Sequence, residues 1–279
     1  MPAKTNNTPE NVIYATVHNV DQSTPKHFIL QYAMIINFIK ANIDKKGYKI
    51  KEVEYKTSAD LSLINGVLIL EKEENEEFNM IFTFTYGYNK LGKFKCAIGT
   101  YNEHGDVYKI PTPFIKSPPG VIKDVSTLLN HIEKVLHTIP AVKQNIEAFN
   151  DVLSYDECNN LSLKQRSAIV GELFIETDLI TTNQTASIKN ETLQMKNVDT
   201  LFHFYNVTAR AVLESHPLTF IEDHQRLYIY YLNKIKSFAN EKIKTTVMVP
   251  DPQPKTVEQE PIKQTNNTIF SWKDSVKIL

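Results

Sequence analysis

The pattern of apolar and polar positions changes period twice along the chain. From Thr24, the stretch TPKHFILQYAMIINFIKANIDKKGY carries Phe28, Ile29, Tyr32, Ile35, Ile36, Phe38 and Ile39 at helical spacing, giving a wide apolar face. Thr24 is read as its N-cap, Pro25 as its first helical residue, and Gly47, behind Lys45 and Lys46, as its stop. From Tyr48 the period drops to two. YKIKEVEYKT sets Tyr48, Ile50, Val53 and Tyr55 against charges, a strand with one irregularity in its alternation. SLINGVLILEKEE is apolar around Asn65-Gly66, EEFNMIFTFTYGY alternates Phe78, Met80, Phe82 and Phe84, and KFKCAIGTYN and DVYKI follow as short strands. Turn signals fall at residues 73–77, 89–92 and 103–106, so a meander of four or five antiparallel strands is predicted over about 48–110.

PTPFIKSPPG (111–120) then interrupts the pattern. Its four prolines remove donors and fix φ, which predicts a crossover or hinge outside any sheet or helix. Beyond it the period returns to helical almost to residue 242. VIKDVSTLLNHIEKVLHTI puts Val121, Val125, Leu128, Leu129, Ile132, Val135 and Leu136 on one stripe, interrupted at Pro140. Further helical stretches are AVKQNIEAFNDVLSY, SLKQRSAIVGELFIETDLI with Ser162 as candidate cap, VDTLFHFYNVTARAVLES and TFIEDHQRLYIYYLNKIKSFANEKI.

The predicted fold class is therefore α+β: an N-terminal helix, an antiparallel β-meander, then a helical half and a flexible C-terminal tail. Residues 1–24 read as a polar arm with at most one short strand at VIYATVH, and 25–242 as the core, with its sheet at about 48–110 and its helical half at about 121–242. Residues 243–268 read as a proline-rich linker. Residues 269–279, IFSWKDSVKIL, read as a terminal docking peptide holding the only tryptophan, Trp272; packing back on its own domain is an equal alternative.

Composition narrows the function classes. The 279 residues are 42% hydrophobic and 23% charged, with 31 basic and 32 acidic side chains and a net charge of −1. Affinity for a polyanion would have to come from local patches. The two cysteines, Cys96 and Cys158, form no CxxC or Cys/His cluster, so neither a zinc site nor a disulfide framework is expected, and a reducing, cytoplasmic setting is the simplest reading. No signal peptide is read at the N-terminus, and no apolar run is long enough to cross a bilayer.

No nucleotide-binding loop, nucleophile elbow, zinc-protease motif or dinucleotide fingerprint is present, so the expectation is a non-enzymatic protein without cofactor or metal. His203, between Phe202 and Phe204, reads as a packed helix residue, and EDHQR (222–226) as a solvated helix face. The acidic run EKEENEEF (71–78) reads as a hydrated turn.

The most unusual local composition is TYGYNKLGKFKCAIG (85–99), which interleaves aromatics with lysines and has no acidic residue. From Tyr86 to Lys123 there are six lysines against Glu103 and Asp106, a local charge of +4. Alternation puts Lys93 and Lys95 on one side of a strand and Phe94 and Cys96 on the other. Two readings follow. Tyr86 and Tyr88 stack bases while Lys90, Lys93 and Lys95 meet phosphates, stacking being worth about 1–3 kcal/mol per base. Alternatively, a two-layer α+β fold holds Phe94 and Cys96 inside and has a lysine-rich outer face.

This region also carries a resemblance. GYNKLGKFKCAIG resembles the NSYDKS…G segment of a phage- and plasmid-associated family, domain of unknown function nine-three-two. A helix followed by GYKI, and then a G.L.L strand formed by Gly66, Leu68 and Leu70, precede it in the same order. LSLKQRSAIVGELFIETDLITTNQTASIKNE looks like the family's helical segment ending in an l..tQ element. VDTLFHFYNVTARAVLESHP is similar to its LW.LYNA.TE.LK…P helix, matched at Leu201, Tyr205, Asn206, Thr208, Leu213 and Pro217. The resemblance covers about residues 24–242. Two departures stand out: Gly99 leads into TYNEHGD where the family has a C.NG strand, and Phe202 stands where it has Trp. The resemblance implies a phage, prophage or plasmid origin in a bacterial host cell and transfers no chemistry. At the level of fold, a helix followed by a curved antiparallel sheet also resembles single-strand annealing recombinases.

The expected function is thus a non-enzymatic bacteriophage or mobile-element protein that binds single-stranded nucleic acid through Tyr86, Tyr88, Lys90, Lys93 and Lys95, aiding annealing, recombination or replication. The alternative is a protein-interaction or virion-associated module whose Phe270, Trp272, Val276, Ile278 and Leu279 dock on a protein partner. Self-association into a homo-oligomer and the choice of DNA or RNA stay open.

Overall fold

The computed structural model describes residues 8–16, 30–72, 76–87, 94–102, 107–111, 115–116, 125–153, 161–194 and 200–247, with backbone only for 115–116 and 238–247. The chain is an α+β protein built on an antiparallel sheet with helices on one face and a turn plus helix end on the other.

Helix α1 (Glu10–Ala15) occupies the arm where a loose segment or short strand was expected. It is tied down. The Thr8 amide donates to the Tyr55 carbonyl (2.7 Å), Glu10 pairs with Lys40 (2.6 Å) and accepts from the Tyr55 hydroxyl (3.1 Å), and Ile13 is fully buried. Helix α2 (Tyr32–Lys45) buries Tyr32, Ile35, Ile36, Ile39 and Ile43. It starts later than predicted: Gln31 is extended (φ −65°, ψ 146°) and is the N-cap, while Thr24 and Pro25 lie outside the described residues. It stops where expected, at Gly47, whose φ of +82° suits a residue without Cβ.

Strands β1 (Ile50–Thr57), β2 (Leu63–Leu70), β3 (Asn79–Gly87), β4 (Lys95–Asn102) and β5 (Val107–Lys109) pair in chain order, all antiparallel. The irregularity read in the first strand is a register shift between Ile50 and Glu52. It brings Ile50, Val53 and Tyr55 to the same apolar cluster despite their uneven spacing. Strand β6 (Ile115–Lys116) corrects the proline-rich reading of 111–120. It pairs with the start of β4 through Lys95↔Lys116 and Cys96↔Ile115. An edge position tolerates the neighbouring prolines, because only one side of the strand needs its donors.

The sheet's first face carries Leu68, Leu70, Phe82, Phe84, Phe94, Cys96 and Ile98 in the main core. Helices α2, α3 (Val125–Leu136), α4 (Ile139–Leu153) and α7 (Leu201–Val212) contribute to it. Gly66 stands directly opposite Phe84, and a Cβ there would run into the phenyl ring. The glycine of the G.L.L element is therefore the space that the Phe84 ring fills.

Helix α5 (Leu163–Gly171) opens on the predicted cap. The Gln165 amide donates to the Ser162 hydroxyl (3.2 Å) and the Ser162 amide donates to the Gln165 side chain (2.9 Å), a reciprocal box. It runs into a π-helical turn at Glu172–Glu176, then α6 (Thr182–Gln194). The last helix, α8 (Phe220–Val247), passes the expected limit at 242. The expected linker from residue 248 and the terminal peptide lie outside the described residues. Among the described residues no helix is long and apolar enough to cross a membrane.

Candidate functional site

Residues 88–94 join strands β3 and β4, whose pairing ends at Thr85↔Lys95. Tyr88, Lys90 and Lys93 belong to this connection and lie outside the described residues. Tyr86 and Lys95, on its two stems, are both buried, at 5% exposure each. They also point to opposite faces of the sheet, Tyr86 into the main core and Lys95 toward α8.

Tyr86 therefore offers no face to a base. Its hydroxyl accepts from the Leu30 amide (3.1 Å) and its ring meets Tyr32 edge-on, centroids 6.1 Å apart. Burial pushes its hydroxyl pKa up to about 12, with the Leu30 hydrogen bond acting the other way. Lys95 is equally removed from phosphate. It donates to the Leu218 carbonyl (2.8 Å) and is ion-paired with Glu222. Alternation correctly puts Phe94 and Cys96 inside, but the opposite face is not a wet lysine stripe.

That second face is covered by residues 213–224. A polar row crosses four strands there, Lys56, Asn65, Thr85 and Lys95, each directly opposite the next. Three members reach up to carbonyls of the turn after α7. Lys56 donates to Leu213 (2.9 Å), Thr85 to Pro217 (3.2 Å) and Lys95 to Leu218. Leu213 caps α7, where carbonyls lack intrahelical donors and carry partial negative charge, and Pro217 and Leu218 lie in the turn that follows, so lysine and threonine donors suit this cover. Beside the row, Val67, Ile69, Ile81, Ala97, Tyr108 and Ile110 pack on Phe220 and Ile221.

EDHQR at 222–226 is consequently not a solvated face. Glu222 holds Lys95, and His224 is fully buried between Phe220 (ring centroids 4.5 Å) and Tyr108 (6.0 Å). Among the described residues neither ring nitrogen of His224 has a hydrogen-bond partner, and burial, then the nearby Lys56 charge, lowers its pKa to about 3. His203 is the reverse case: its side chain is exposed and its Nδ1 is 2.9 Å from the Thr200 hydroxyl.

Sequence reasoning missed Lys109. This β5 lysine is 4% exposed and sits in a cage, its Nζ 5.2 Å from the Phe202 ring, 5.4 Å from Tyr205 and 6.0 Å from Phe149. Asn150 Oδ1 accepts its hydrogen bond at 2.5 Å. Burial lowers its pKa to about 8, with Glu77 opposing. Phe202 and Tyr205, three apart on α7, thus grip one ammonium by cation–π attraction. The aromatic positions of the LW.LYNA-like helix are the walls of this cage. The signal in the sequence was the motif itself; its target, a lysine in a three-residue strand, carried none.

The acidic run at 71–78 contributes Glu76, ion-paired with Lys143 of α4, while 73–75 lie outside the described residues. Among the described residues no group of histidines, cysteines and carboxylates is arranged to hold a metal. Cys96 is buried, and burial raises its thiol pKa far above the usual range. No family model, curated protein or solved structure matches the chain. The resemblance to domain of unknown function nine-three-two therefore rests on the quoted motifs alone.

Proposed function

We propose that this chain is a non-enzymatic phage or mobile-element protein that binds single-stranded nucleic acid at one end of its sheet, through Tyr88, Lys90 and Lys93, with Lys116 beside them. The observation that supports this reading is the β4–β6 register. Lys116 stands opposite Lys95, the first residue of β4, so β6 runs next to the base of the 88–94 connection. Lys116 is thereby placed at the end of the sheet from which the chain enters the basic segment YNKLGK, and neither that segment nor IKSPPGVIK contains an acidic residue. Basic side chains near one aromatic are the elements that track a phosphate backbone and stack an unpaired base.

Tyr86 and Lys95 have no part in this contact; they anchor the stems of the connection from inside the fold. The experiment is a fluorescence-anisotropy titration of a labelled single-stranded oligonucleotide. The triple variant Lys90→Ala, Lys93→Ala, Lys116→Ala is expected to lose most of the affinity while far-UV circular dichroism stays unchanged. Tyr88→Ala is expected to weaken binding by about 1–3 kcal/mol, the range for one stacked base. Wild-type affinity in the triple variant would remove the site.

A further inference from the structure

The π-helical turn Glu172–Glu176 leaves two large apolar side chains adjacent and outward, Phe174 at 40% and Ile175 at 77% exposure. Such turns are rare and often mark functional positions. Helix α8 is fastened to this turn: Arg226 donates to the Thr177 carbonyl, and Glu172 accepts from the Tyr230 hydroxyl (2.7 Å) and from Lys234 (2.6 Å). Within that fastened length of α8, Ile229 is 45% exposed. The acidic residues Glu176 and Asp178 are exposed beside the same turn.

We propose that residues 269–279 of the same chain dock on this surface, with Phe270 and Trp272 against Phe174, Ile175 and Ile229. Three observations favour this occupant. The peptide IFSWKDSVKIL is apolar at both ends and carries Lys273 and Lys277 against a single acidic residue, Asp274, a charge complementary to the exposed Glu176 and Asp178. The reach suffices, because residues 248–268 can extend about 70 Å, whereas the helix between Ile229 and Val247 is about 27 Å long. A covalently tethered segment also has an effective concentration on the order of millimolar at its site, so a small contact can be occupied. This docking does not depend on nucleic acid binding, which lies with the sheet.

Trp272 is the only tryptophan of the chain, so tryptophan emission of the full-length protein reports this peptide alone. The proposal expects emission blue-shifted from that of the synthetic peptide 269–279, unchanged on dilution. Ile175→Lys, at a position already exposed, should return the emission to that of the free peptide. Ile229→Lys, on the other element, should do the same, so that misfolding of one variant does not decide the result. Emission equal to the free peptide in the wild type overturns the proposal and leaves the peptide to a separate partner. A blue shift that disappears on dilution also overturns it, as docking between copies, and one that persists in both variants puts the peptide elsewhere on the fold.

Discussion

Lys95 and Glu222 are ion-paired although 127 positions separate them in the chain. The pair fastens the first residue of β4 to the first turn of α8, and it closes the second face of the sheet. Its side chains are 6% and 23% exposed, so the pair is largely desolvated. Removing one partner of such a pair is costly because the other charge stays behind without compensation.

Lys95→Met should therefore destabilise the protein by about 3 kcal/mol in urea unfolding, and the double variant Lys95→Met, Glu222→Met should recover part of that loss. A Lys95→Met variant within about 1 kcal/mol of wild type would mean that the pair is screened like a surface contact.

Lys109 sets the alkaline behaviour. Its pKa is about 8 in the folded protein and 10.5 as an unperturbed lysine. Between those values the unfolded chain binds more protons than the native one, so stability rises with pH through this window. The full gain is about 3 kcal/mol at about 1.4 kcal/mol per pKa unit. Tyrosines whose hydroxyl pKa burial raises, such as Tyr205 and Tyr231, act in the opposite sense above pH 10. The measurement is thus unfolding free energy from pH 7.5 to about 10, where wild type should gain stability relative to Lys109→Met. Parallel curves would show that the cage does not desolvate the ammonium.

His224 sets the acid behaviour. Its folded pKa of about 3 lies below the unperturbed 6.5, so the unfolded chain takes up a proton first and stability falls as pH drops from 6.5 toward 3. The neighbouring Asp223 opposes this, because burial raises its carboxyl pKa and favours the protonated form in the fold. Comparing wild type with His224→Phe isolates the histidine. The variant keeps the ring against Tyr108 and Phe220 and should lose less stability between pH 6.5 and 4. Equal losses would contradict a buried, neutral imidazole.

The legible parts of this fold are those fixed by local spacing. The slip from Ile50 to Val53 announced the register shift in β1, Ser162 and Gln165 announced their reciprocal cap, and Gly47 announced the end of α2. What covers a sheet face is not local. Lys56, Asn65, Thr85 and Lys95 form a polar row, and by alternation alone a polar row reads as solvated. Asn65, Thr85 and Lys95 are buried and Lys56 is half-buried because residues 213–218, far along the chain, bring carbonyls of the α7 end and the following turn to which lysine and threonine donate. The same reason hid Glu222 and His224 inside a charged pentapeptide, and it hid Lys109, whose cage is assembled from α4 and α7.

The lysines divide into two kinds: Lys56, Lys95 and Lys109 make contacts that hold the fold, and Lys90, Lys93 and Lys116 are the ones we propose for nucleic acid. The salt dependence of single-strand binding separates them most directly. Each phosphate contact adds about 0.7 to the slope of log affinity against log salt on a single strand, so losing three contacts lowers the slope by about 2. The account predicts that drop for Lys90→Ala, Lys93→Ala, Lys116→Ala, and an unchanged slope for folded Lys109→Met. A wild-type protein that shows no salt-dependent affinity, or a triple variant that keeps the wild-type slope, would contradict it.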